Sequence, residues 1–309
     1  MKQLLTKIAV FLLIVYCAGY LAEMWIGKEL SSGKRYYFQA DWHDLANHQS
    51  EILFVGNSRT WVQVDPFYIQ NKFNTSCEII AQDGQDIQVV WLKLKEYLKH
   101  NEAPKEIYLQ FDPFFLQQRE DLFGIDNIRT CFFFDRVDLS SISDHEGYKS
   151  YYRFLPLAAY NWELIEKIRK GETVGEKEKF ENTRGAIIQD KVWEGDWIHP
   201  EAVEVKKEKF GSHLDSLVMA CKTHNIKLYA IFSPQSYPSY QQIAHRELIH
   251  AELARMREKS GMDIPFIDFN DPLYNDSTLF YNHMHLNRKG VKIWMDSLVN
   301  QPKLFQRFR

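Results

Sequence analysis

Two short blocks, far apart in the chain, hold residue types that perform acyl transfer when they meet. The first is Gly56-Asn57-Ser58-Arg59, directly after the apolar run 52–55. A serine in a tight turn at the end of a strand is exposed, and the neighbouring backbone N–H groups converge near its hydroxyl. That suits a nucleophile whose own amide stabilises the oxyanion it creates. The same placement also serves an ordinary turn or helix-cap serine. The second block is Asn282-His283-Met284-His285-Leu286-Asn287, followed by Gly290. A serine hydroxyl hardly ionises at neutral pH and needs such a histidine as base; taken alone, a histidine is equally a surface or core residue. A third feature, Asp112-Pro113, closes the apolar run 106–111. Asp112 has three readings: a partner for His285, a ligand for a substrate hydroxyl, or a cap on the following turn. The pairs His283/His285 and His245/His250 come with no further ligands, so neither a metal site nor a cofactor is expected.

The elements that must position these residues alternate as strand and helix, the signature of a parallel sheet with helices on its faces. Strands are expected at 52–55, 77–81, 106–111, 227–232 and 265–269. Asp65-Pro66 reads as an N-cap with proline at the first helical position. Ile87, Val90, Trp91, Leu94 and Leu98 share one face of a 3.6-residue period. Phe210, Leu214, Leu217 and Cys221 mark another helix. One long helix is expected from about Tyr240 to Lys259, closed by Gly261, and the last begins after Asn287 with Val291, Trp294, Met295 and Leu298 inward. Residues 116–202 break the alternation and read as an insertion, with a helical stretch near 161–170.

The N-terminus is different in kind. Residues 8–22 carry no charge, Met24, Trp25 and Ile26 extend the run past Glu23, and Lys2 and Lys7 precede it. A bilayer core needs roughly 20 apolar residues, so the segment reads as an uncleaved signal anchor with Glu23 and Trp25 at the interface. The resulting division is 1–27 as transmembrane helix, 28–50 as connector, and 51–300 as the α/β domain. A net charge of -3 provides no electrostatic footprint for nucleic acid. The four cysteines Cys17, Cys77, Cys131 and Cys221 form no CxxC pair, which excludes a disulfide framework and a zinc-finger pattern. Aromatic residues make up 15% of the chain, compatible with sugar stacking but more simply explained by core filling.

Taken together, the two blocks resemble the SGNH (GDSL-like) hydrolase superfamily, in particular its membrane-anchored bacterial branch associated with surface-polysaccharide acylation. In that family the last block reads Asp-x-x-His-Leu-Asn-x-x-Gly, matched here from Asn282 to Gly290; Gly84 after the second strand also matches. The resemblance implies a three-layer α/β/α, flavodoxin-like sheet of about five parallel strands. It implies catalysis by Ser58 and His285, with Asn282 in the aspartate's place, and an oxyanion hole formed by the N–H groups of Ser58 and Gly84. Asp112, Asn57 and Arg59 would then meet the substrate or the histidine. The implied activity is an extracytoplasmic esterase or O-acyltransferase without cofactor, acting on an acylated carbohydrate or other acyl ester. Further implied partners are the membrane and surface-polysaccharide biosynthesis proteins. The implied location is the bacterial inner (cytoplasmic) membrane, single-pass, with the domain facing the periplasm or cell exterior. Two residues depart from the family. Asn282 cannot neutralise an imidazolium, and Asp112 stands where the family often has an oxyanion-hole asparagine. A non-catalytic glycan-binding or assembly protein is therefore the competing reading, and a cytoplasm-facing hydrolase would follow from an inverted anchor.

Overall fold

The computed structural model describes residues 2–31, 49–117, 155–157, 162–171, 184–194, 205 and 212–309. The chain divides into two compact units, one of residues 1–47 with 121–179 and one of 48–120 with 180–309.

In the first unit, helix α1 (Lys2–Ser31) continues past the expected end at residue 27. Its stretch Lys2–Ile26, whose most apolar 18-residue window has mean hydropathy 2.1, is long and apolar enough to cross a membrane.

The second unit is an α/β body. From its N-terminus it runs β1 (Ile52–Gly56), α2 (Ser58–Gln63), α3 (Pro66–Phe73), β2 (Cys77–Ala81), α4 (Ile87–His100), β3 (Glu106–Gln110) and the short α5 (Pro113–Leu116). Helix α6 (Trp162–Lys170) belongs to the first unit. The α/β body resumes with α7 (His213–Thr223), β4 (Lys227–Phe232), α8 (Tyr237–Gln241), α9 (Glu247–Ser260) and β5 (Phe266–Asp268). It ends in a small antiparallel pair, β6 (Phe280–Asn282) and β7 (His285–Leu286), and helix α10 (Arg288–Asn300).

The five main strands are all parallel, in the order β2-β1-β3-β4-β5. This is the flavodoxin-like order, whose ligand crevice lies at the carboxyl ends of the strands where the winding reverses, between β1 and β3. β1, β2 and β3 are buried along their whole length, as a sheet covered on both faces requires. On one face Phe54, Tyr108 and Tyr229 sit in register on β1, β3 and β4, with successive ring centroids 4.8 Å apart. Phe305 stacks on Tyr108, and Trp294, Met295 and Leu298 of α10 join the same core. The alternate residues Leu53, Val55, Ile107 and Leu109 are buried toward the opposite face, where α4 and α7 pack together.

Local signals fix the helix ends. Asp65 caps α3 by accepting from the Tyr68 N–H, Asp86 caps α4 from two N–H groups, and Gly261 closes α9 at φ 68°. One expectation is corrected. The long helix at 240–259 is two helices, α8 and α9, because His245 adopts φ 60° and breaks the hydrogen-bond ladder between them. Within the stretch 116–202, residues 184–194 pack on the α/β body. Arg184 O accepts from Ile79 N, Trp61 O from Ile187 N, and Phe280 O from Trp193 N. Phe210 and most of residues 116–202 lie outside the described residues.

Candidate active site

Ser58 is the first residue of α2, two residues beyond the end of β1. Gly56 makes this turn feasible: a Cβ there would lie 2.6 Å from the Gln110 Cβ and run into the Thr60 side chain. Asn57 stays just outside the helix and caps it, its Oδ1 accepting from the Arg59 N–H at 3.1 Å. Asn57 is thereby committed to the turn.

His285 reaches the same point from β7. Its Nε2 lies 2.8 Å from Ser58 Oγ, and its Nδ1 lies 2.9 Å from Asn282 Oδ1. Asn282 Oδ1 also accepts from the backbone N–H groups of Met284 and His285, each at 3.0 Å. Two backbone donors aimed at one side-chain atom identify that atom as the oxygen. The imidazole Nδ1 facing it therefore carries the proton, and Nε2 presents its lone pair to the serine hydroxyl. The tautomer follows from the hydrogen-bond pattern.

The motif's remaining residues hold this loop. Asn287 donates to Thr278 O and Phe280 O at 2.9 and 3.0 Å and caps α10 through Gly290 N. The Tyr281 ring stacks on His285 with centroids 5.4 Å apart. Burial pushes the His285 pKa down to about 3, helped by the nearby Arg59 charge and by His283. The base is neutral across the physiological range, and its conjugate acid is poorly supported.

Asp112 is fully buried and does not meet His285, whose two ring nitrogens are taken by Ser58 and Asn282. Its Oδ1 accepts from Phe114 N and Phe115 N at 2.8 and 3.0 Å, and its Oδ2 accepts from Gln110 Nε2 at 2.7 Å. The capping role is the one observed, and the histidine-partner reading is corrected. Arg59 lies beside it, fully buried, with Nη1 3.7 Å from Asp112 Oδ2. Its guanidinium stands 5.3 and 5.5 Å from the Phe114 and Phe232 ring centroids. Its nitrogens make no hydrogen bond among the described residues, and burial lowers its pKa. Arg59 thus sits beneath the nucleophile turn, not in reach of solvent.

Gly84, half-buried, adopts φ 67° in the turn between β2 and α4, a conformation that favours glycine. Gln63 escaped sequence reasoning. From the far end of α2 its Nε2 donates to Pro234 O and Met284 O, both at 3.1 Å, tying the serine helix to the histidine loop. No residue pattern announces a buried glutamine as such a clamp. Among the described residues no cluster of three His, Cys, Asp or Glu side chains is placed to hold a metal.

No protein-family model matches the chain, and no curated protein sequence does. Solved structures with some likeness include a GDSL-like lipase from Bacteroides thetaiotaomicron, 12% identical, TM-score 0.39, covering 91% of this chain and 97% of that one. Another is an acetyl xylan esterase from the rumen bacterium Butyrivibrio proteoclasticus, 11% identical, TM-score 0.38, covering 82% of this chain and 63% of that one. Likenesses this weak decide neither family nor activity.

Proposed function

We propose that the chain is a membrane-anchored serine esterase or O-acyltransferase that works through an acyl-enzyme on Ser58. The observation that carries this reading is the 2.8 Å contact between Ser58 Oγ and a His285 Nε2 whose tautomer is fixed by Asn282. Ser58 Oγ attacks the acyl carbonyl carbon as its proton passes to His285 Nε2. The tetrahedral oxyanion is held by the N–H groups of Ser58 and Gly84. Collapse breaks the bond to the leaving alkoxide, which takes the proton back from His285. Water as the second nucleophile completes hydrolysis, and a sugar hydroxyl completes acyl transfer.

The substrate we propose is an acyl ester on a cell-surface glycan. The proposed arrangement is a single N-terminal span in the bacterial cytoplasmic membrane, with residues 51–300 outside the cytoplasm alongside surface-polysaccharide biosynthesis proteins. The second reading is a protein of this fold that binds glycan with weakened chemistry. Asn282 favours it, because an amide orients the imidazole without neutralising its cation.

The test is covalent labelling of the full chain in detergent by a fluorophosphonate, read by intact mass. One adduct, lost in Ser58→Ala and reduced in His285→Ala, supports the hydrolase reading. Folded wild type that stays unlabelled rejects it in favour of binding.

A further inference from the structure

The lone acidic residue near the end of the membrane-length stretch of α1 is not solvated. Glu23 is 2% exposed, and its Oε1 accepts from the Leu157 N–H at 3.3 Å. One helical turn earlier, Pro156 lies against Gly19, so closely that a Cβ on Gly19 would stand 3.0 Å from the Pro156 Cβ. Leu157 is held at φ 65°, a left-handed conformation that a branched residue keeps only when its surroundings impose it. Leu155, next to them in the chain, is 51% exposed, and on the helix Tyr20 and Met24, which follow Gly19 and Glu23, are each 54% exposed.

Depth along the helix gives these contacts a meaning. The uncharged run 8–22 is centred on Val15. At 1.5 Å per residue, Gly19 is then about 6 Å and Glu23 about 12 Å from the midplane. The hydrocarbon half-thickness is about 15 Å. A loop touching Gly19 therefore reaches into the apolar slab. Backbone N–H groups there must find a partner within the protein, and Glu23 supplies one to Leu157. This accounts for a carboxyl group in an otherwise apolar stretch.

We propose that the turn 155–157 is a second membrane-contact element, dipping beside α1 into the acyl-chain region of one leaflet with Leu155 facing lipid. Its partner is the bilayer, not another protein. The proposal rests on α1 being a membrane span. Helix α6, which comes next among the described residues, also packs on α1.

The full chain, reconstituted in nanodiscs of phosphatidylcholine and phosphatidylglycerol, tests this with a photo-crosslinking residue. Benzoylphenylalanine is placed singly at Leu155, at Leu12 in the span (59% exposed) and at Val192 on the α/β body (54% exposed). Irradiation followed by intact mass then counts protein–lipid adducts. Several-fold more lipid adduct at 155 than at 192, with strong adduct at 12, is expected. Adduct at 12 but no excess at 155 over 192 overturns the dip and leaves the anchor standing. No adduct at either 12 or 155 overturns both.

Discussion

Asn282 meets His285 twice, through the imidazole Nδ1 at 2.9 Å and through the backbone N–H at 3.0 Å, with a single oxygen. An aspartate at this position would keep both contacts and add a negative charge facing the imidazolium that forms during acylation. In a Ser-His-Asp protease the reverse swap cost about 10⁴ in turnover, largely through the wrong tautomer. Here the tautomer is already correct, so the gain from charge alone is smaller. Asn282→Asp is expected to raise the fluorophosphonate labelling rate by about tenfold, below the roughly 10²–10⁴-fold of full acid–base assistance. An unchanged rate would show that the imidazole cation is not limiting.

The low pKa of His285 has two consequences of opposite kind. Because burial, Arg59 and His283 hold it down to about 3, the labelling rate should stay level from pH 8 to pH 5, where an ordinary histidine base would fade. Stability behaves differently. A depressed pKa contributes stability that is complete above the unfolded value of about 6.5 and is lost as pH falls toward the folded value, on the order of a few kcal/mol. Urea midpoints at pH 7.5 and 4.5 should therefore converge in His285→Gln relative to wild type. Equal pH sensitivity of the two proteins would rule out His285 as a source of acid lability.

Arg59 and Asp112 form a buried pair that also props the turn carrying Ser58. Removing one partner leaves a buried charge unpaired, which costs about 3–5 kcal/mol, whereas removing both is far milder. Arg59→Met should lower the unfolding free energy by that amount, and adding Asp112→Asn should recover part of it. Urea denaturation of the two single variants and the double variant gives the coupling. Additive losses would mean the 3.7 Å contact is incidental.

Much of this was legible in the sequence because the signals are local. Continuous apolar runs ending in Gly56 or Asp112 mark buried parallel strands, and Asp65 before Pro66 is a cap whose chemistry is independent of tertiary context. The Ser58–His285 pairing was expected from the resemblance that the two blocks carry together, and the two side chains lie 2.8 Å apart. What stayed hidden depends on distant contacts. Nothing near His245 announces a left-handed residue, since its neighbours keep helical propensity. The packing of residues 184–194 on the body rests in part on backbone hydrogen bonds with Trp61, Ile79 and Phe280, which leave no mark on side-chain pattern. Asp112 was ambiguous for a related reason: a cap and a catalytic carboxylate look alike until the N–H groups of Phe114 and Phe115 are seen pointing at it.

Gly290 offers a test in which two effects have opposite signs. It lies in the first turn of α10, and alanine in a helix is normally favoured over glycine by about 0.5–1 kcal/mol. Here an added Cβ would strike the Leu279 carbonyl oxygen and come within 2.8 Å of Leu286 Cδ2. That carbonyl accepts the Asn287 N–H at 2.9 Å, so displacing it loosens the loop that carries His285. Overpacking of this kind costs about 1–3 kcal/mol, which exceeds the propensity gain. Gly290→Ala should therefore be destabilised in thermal unfolding and label more slowly, while Lys292→Ala, on the exposed side of the same helix, should change stability by less than about 0.5 kcal/mol. A stabilised Gly290→Ala would mean that Leu279 and Leu286 yield easily and that the histidine loop is not held by this contact.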